Sequence, residues 1–109
     1  MKYTIITPDG KVEERIQRKE PDAKEVSEIL GGYMELIHIK WRNGVVDAFV
    51  NEDAKRQNLP INLMATALWH NYHFPNPKGP YADLNKDPQG HINAFGDHIR
   101  GTMVMMTGI

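Results

Sequence analysis

The chain contains no cysteine, which excludes disulfides, cysteine-ligated zinc and iron–sulfur clusters and fits a reducing compartment. It also lacks an excess of charge of either sign. Its 13 Lys and Arg stand against 14 Asp and Glu, a net charge of −1, so nothing draws it in bulk to nucleic acid or to an anionic membrane. No apolar run approaches the roughly 18 residues that would cross a bilayer. The opening stretch, Met1 to Gly10, has one basic residue and only a brief apolar run before a turn, short of the about 7–15 apolar residues of a signal-peptide core. The expected location is the cytoplasm. No recognised nucleophile, phosphate-loop or zinc pattern occurs. What is present is 109 residues, 25% charged and 40% apolar, the size and composition of one soluble globular domain.

Local patterns give the order of elements. Thr7-Pro8-Asp9-Gly10 is a turn sequence, with Pro8 presetting φ and Gly10 accepting positive φ, so antiparallel strands are expected on either side. Asp22 with Glu25 three residues later caps a helix whose face is Ala23, Val26, Ile29 and Leu30, and Gly31 stops it. Asn43-Gly44 signals a two-residue hairpin turn. It implies a register with Trp41 facing Val46, Lys40 facing Asp47 and His38 facing Phe49; Ile37, Ile39 and Trp41 then share an apolar face with Val46, Ala48 and Val50. A second helix is expected from Pro60 to about Tyr72, with Ile61, Met64, Ala65, Leu68 and Tyr72 as its buried stripe. Asn62, Thr66, Trp69 and His73 lie on one shoulder of it, and Leu63 points away as a hint of a partner contact. Thr102 to Thr107 reads as a last strand, too uniformly apolar to be half exposed and therefore inside the sheet.

A Pro- and Gly-rich loop of about residues 73–98 separates that strand from the second helix, longer than compact domains usually carry. Within it Asp83, Asn85 and Asp87 alternate as the ligands opening a calcium loop do. Pro88 stands where the sharp-turn Gly belongs, however, and Ala94 where the twelfth-position Glu belongs. A solvated turn is the expected state, with a divalent cation as the alternative; no other cofactor is indicated. His70 and His73 sit one helical turn apart, but the third ligand of a catalytic zinc is not evident.

The most polar join in the chain runs from Asn51-Glu52-Asp53-Ala54-Lys55 to Asn62 and Thr66. In the expected hairpin register Glu35 faces Glu52, and like charges so opposed need a cation, a shared proton or a basic partner. The candidate ligand-binding set is therefore Glu35, Asn51, Glu52, Lys55, Asn62 and Thr66. The plainer account is that the strands splay while Asn51 and Asn62 satisfy backbone groups at a strand end and a helix start.

Several short motifs occur in order: Pro8-Asp9-Gly10; Gly31-Gly32-Tyr33-Met34-Glu35; Asn51-Glu52-Asp53; Leu59-Pro60-Ile61-Asn62 with Ala65-Thr66; and Ile99-Arg100-Gly101. Together they resemble a family of small domains of unknown function found in bacteria, phages and plasmids. The loop after the second helix departs from that pattern. The resemblance implies a mobile-element origin and supplies no catalytic residues.

The expected architecture is a single α+β domain with one antiparallel sheet of about five strands, in the order β-β-α-β-β-α-β, and both helices on one face. The opposite face, with His38, Lys40, Asp47 and Phe49, would be open or used for self-association. The expected function is non-enzymatic binding of a host protein or a small ligand. The alternatives are a metal-dependent hydrolase or nuclease using Glu35 and Glu52, and a structural protein that forms homo-oligomers.

Overall fold

The computed structural model describes residues 1–42, 44–73 and 98–108. The calcium-like triad Asp83, Asn85 and Asp87 and almost all of the 73–98 loop lie outside the described residues. The elements are β1 (Lys2–Ile6), β2 (Val12–Ile16), α1 (Ala23–Leu30), β3 (Met34–Trp41), β4 (Gly44–Asn51), α2 (Leu63–His73) and β5 (Met103–Gly108). The fold is α+β, with one open antiparallel sheet of five strands in the order β2-β1-β5-β4-β3. As its composition requires, β5 is interior: Met103, Val104 and Met105 are fully buried between β1 and β4. Among the described residues no helix is long and apolar enough to cross a membrane.

The helices do not share a face. Successive side chains of a strand point to opposite sides of the sheet, and the two core clusters divide along that alternation. Ile6, Ile39, Ala48, Val50, Met103 and Met105 pack with Ala65, Leu68 and Trp69 of α2. Tyr3, Ile5, Val104 and Phe49 pack with Val26, Ile29 and Leu30 of α1. Phe49 is thus covered by α1 rather than left on an open face. The physical reason lies in β1 and β5, whose consecutive apolar residues project to both sides; cover on one side alone would leave half of them in water.

For α1 the expected cap and stop are found, and Val26, Ile29 and Leu30 face the sheet as expected, whereas Ala23 is exposed. Asp22 Oδ1 accepts from the Glu25 amide at 2.8 Å, and the Gly31 amide closes the helix on the Ser27 carbonyl at 2.9 Å. In the β1–β2 turn the Gly10 amide donates to the Thr7 carbonyl at 3.0 Å. There the Thr7 hydroxyl, bonded to the Asp9 carboxylate, holds that carboxyl below its ordinary range.

The β3–β4 hairpin differs from its expected register by two residues. Trp41 pairs with Gly44, Ile39 with Val46, His38 with Asp47 and Glu35 with Val50, and Arg42 takes a positive φ of 56°. A shift of two preserves which residues share a face, so the apolar surface survives while every named pair changes. The shift is explained at the far end of the hairpin. Asn51 is buried there, its Nδ2 donating to the Leu30 carbonyl at 3.2 Å and to Gln57 Oε1 at 2.9 Å, while its Oδ1 accepts from the Asp53 amide at 2.9 Å. Gly32 lies so close that a Cβ on it would stand 2.9 Å from Asn51 Oδ1. The expected register would carry Asn51 roughly 7 Å along β3, two residues away from these partners.

Helix α2 begins at Leu63 rather than Pro60, because the preceding residues are used elsewhere. Ile61 forms a β-bridge with Arg100, and the Pro60 carbonyl accepts from the Gly101 amide at 2.8 Å. The buried stripe is also rotated from the expected one: Asn62, Ala65, Thr66 and His70 are buried, whereas Met64 and Tyr72 are exposed. Hydrogen bonds from Asn62 and Thr66 to the strand leading into β5 turn that shoulder inward.

Candidate functional site

A cleft of about 160 Å³ opens where the outer end of the β3–β4 hairpin meets α2 and the lead-in to β5. Its walls take Glu35 and Ile37 from β3, Val50 and Asn51 from β4, and Glu52, Ala54 and Lys55 from the following turn. Trp69 of α2 and the segment His98-Ile99-Arg100 complete it. The turn is self-supporting: the Gln57 amide bonds to the Asp53 carbonyl at 2.9 Å and the Leu59 amide to the Ala54 carbonyl at 3.0 Å, with Arg56 paired to Asp53 at 3.0 Å.

The six nominated residues separate into two groups. Glu35, Asn51, Glu52 and Lys55 line the cleft; Asn62 and Thr66 do not. Asn62, 1% exposed, directs Nδ2 to the carbonyls of Ile6 (3.0 Å) and Gly101 (2.9 Å), and its Oδ1 caps α2 by accepting from the Ala65 amide at 3.0 Å. The Thr66 hydroxyl donates to the Asn62 carbonyl at 2.7 Å and accepts from the Ile99 amide at 3.0 Å. Asn51 is engaged as described above. These three side chains fasten α1, α2 and β5 to the sheet, and their polar atoms are taken up by the protein itself.

The two glutamates behave otherwise. Because Glu35 pairs with Val50 and the Glu52 amide bonds to the Tyr33 carbonyl at 2.8 Å, they are diagonal neighbours on one face rather than directly opposed. Diagonal positions lie roughly 7–8 Å apart, which removes the like-charge conflict of direct opposition. Both are exposed, and neither carboxylate has an ion pair or hydrogen bond among the described residues.

Besides the aliphatic residues of its wall, the cleft takes three residues not nominated from sequence, Trp69, His98 and Arg100. Arg100 is half-buried and held on two sides: Nη1 donates to the Leu59 carbonyl at 2.9 Å and Nε to His98 Nε2 at 2.9 Å. As an acceptor, His98 Nε2 carries no proton in this arrangement. Arg100 Nη2 has no partner among the described residues. A signal for this pair existed in the alternation polar–apolar–polar of His98-Ile99-Arg100, which puts both polar side chains on one side of an extended segment. Of the two histidines noted on α2, His70 is buried with its ring 5.5 Å from that of Trp69, and the His73 side chain lies outside the described residues. Among the described residues no three His, Asp or Glu side chains are grouped to hold a metal ion.

The arrangement joins a fixed guanidinium, two exposed carboxylates without partners among the described residues, a lysine and an indole around a small cleft. It is suited to orienting an ionic or strongly hydrogen-bonding molecule. The chain matches no protein-family model, no curated protein and no solved structure.

Proposed function

We propose that this is a non-enzymatic binding protein whose cleft takes a small ligand with an acidic group and a basic or hydrogen-donating group. The observation that carries this reading is Arg100, anchored by Leu59 and His98, with Nη2 engaged by none of the described residues and so placed to meet an incoming acceptor. A guanidinium held in place loses little freedom on binding, and charge-assisted bonds to carboxylate or phosphate are the stronger kind. Glu35 and Glu52 supply acceptors for the opposite end of the ligand, and Trp69 an apolar wall. The volume is below the roughly 300–1,000 Å³ of drug-sized pockets, which points to a molecule the size of an amino acid. The resemblance of the motif set supports an accessory role in a phage or plasmid, exercised in the host cytoplasm.

The test is titration of the protein with a panel of amino acids, small dicarboxylates and phosphorylated metabolites, followed by calorimetry and by Trp69 fluorescence in a Trp41→Phe background. One class should bind, and Arg100→Gln should weaken it at least tenfold, from the loss of a charged hydrogen bond of about 1.5–3 kcal/mol. A ligand whose affinity ignores Arg100→Gln, or a panel without binding, would sink the proposal; turnover of the bound compound would make the protein an enzyme.

A further inference from the structure

The edge strand β2 carries a second feature, independent of the cleft. It lies at one margin of the sheet, and all five of its residues, Val12-Glu13-Glu14-Arg15-Ile16, are exposed, Ile16 by 81%. An uncovered edge without proline or bulge is a template for another strand. The hydrogen bonds to β1 say which backbone groups are free to pair. Met1 and Gln17 exchange bonds of 2.7 and 3.0 Å, and the Thr7 amide donates to the Lys11 carbonyl at 3.0 Å. By the alternation of an antiparallel ladder, Glu13 and Arg15 also face β1, and the amides and carbonyls of Val12, Glu14 and Ile16 point outward.

We propose that β2 pairs antiparallel with β2 of a second copy of this chain, about a two-fold axis at Glu14, giving one sheet continuous through both copies. Complementarity selects this occupant and this register. Directly opposed residues must lie on the same side of the sheet, so only shifts of two are open to a two-fold pair. Centred on Glu14, Val12 meets Ile16 of the second copy and Glu13 meets Arg15, each twice by symmetry. Every outward amide and carbonyl of the strand then finds a partner. The opposed Glu14 side chains are flanked by Lys2 of each copy, already 3.1 Å from Glu14 within one chain. Centring on Glu13 or Arg15 would likewise oppose like charges, there beside the Glu13–Arg15 ion pair of 3.2 Å within each chain, but it would break the Val12–Ile16 match and set Val12 or Ile16 against Glu14.

The test uses single charge reversals at exposed positions and sedimentation equilibrium from micromolar to millimolar protein, with circular dichroism confirming the fold. The unaltered chain should show a concentration-dependent dimer. Glu13→Arg opposes two arginines across the axis and Arg15→Glu two glutamates, so each alone should raise the dimer dissociation constant at least tenfold. Mixed in equal amounts, the two variants restore both ion pairs and should form a heterodimer. A chain that stays monomeric to millimolar concentration, variants that dimerise like the unaltered chain, or a mixture no tighter than its components would overturn the proposal.

Discussion

The α2 cap, built on Asn62 and Thr66, and the cleft rim, built on Glu35 and Glu52, belong to the same strand-to-helix region, and their polar groups meet opposite fates. At the cap every nominated side chain is buried, and its donors and acceptors end on backbone groups of β1, α2 and the lead-in to β5. At the rim the carboxylates are exposed and lack partners among the described residues. Burial and bonding decide what a polar residue does. Buried and fully bonded, it holds the fold together, and its removal strands the groups it served. Exposed beside a cleft, it contributes little to stability and stays available to something else.

Asn62→Ala deletes the helix cap and leaves the Ile6 and Gly101 carbonyls and the Ala65 amide without their side-chain partner. The expected loss is about 2–4 kcal/mol in urea unfolding, a large share of a domain's roughly 5–15 kcal/mol. A loss below about 0.5 kcal/mol would mean that the cap is no more structural than the rim. Gly32→Ala should cost less, about 1–3 kcal/mol, because the new methyl must displace the buried Asn51 amide, and with it the bonds to Leu30 and Gln57. Thermal unfolding alongside Asn51→Ala checks this, since the two changes act on one contact and should not add. The smallest effect belongs to the rim: Glu35→Gln together with Glu52→Gln should leave stability within about 0.5 kcal/mol. Unfolding as costly as that of Asn62→Ala would place the glutamates in the scaffold and remove them from the binding site.

Much of the fold was legible because it rests on local chemistry. Asp22 and Gly31 frame α1, Thr7 to Gly10 makes the first turn, and the apolar run of β5 required an interior strand. The structure departs from local preference where distant contacts outweigh it. Asn43-Gly44 is a strong turn sequence, yet the hairpin is set two residues away by Asn51 bonding under the end of α1. Pro60 suits a first helical position, yet its carbonyl is taken by Gly101 and the helix waits for Asn62. The site was half legible: Glu35, Glu52 and Lys55 could be found from alternation and from an unusually polar join. Arg100 and His98 come from beyond the long loop, and no local pattern ties them to β3 and β4.

By itself, then, the sequence determined the α+β class, the seven elements and the face on which each strand residue lies, because all of these follow from backbone periodicity and capping within a few residues. The tertiary structure decided the hairpin register, the placement of the helices on opposite faces and the division of the polar join into a satisfied cap and an open cleft. Each of these depends on which buried donor finds which acceptor across the chain, as Asn62 does with Ile6 and Gly101. Such partners become neighbours only when the sheet is assembled.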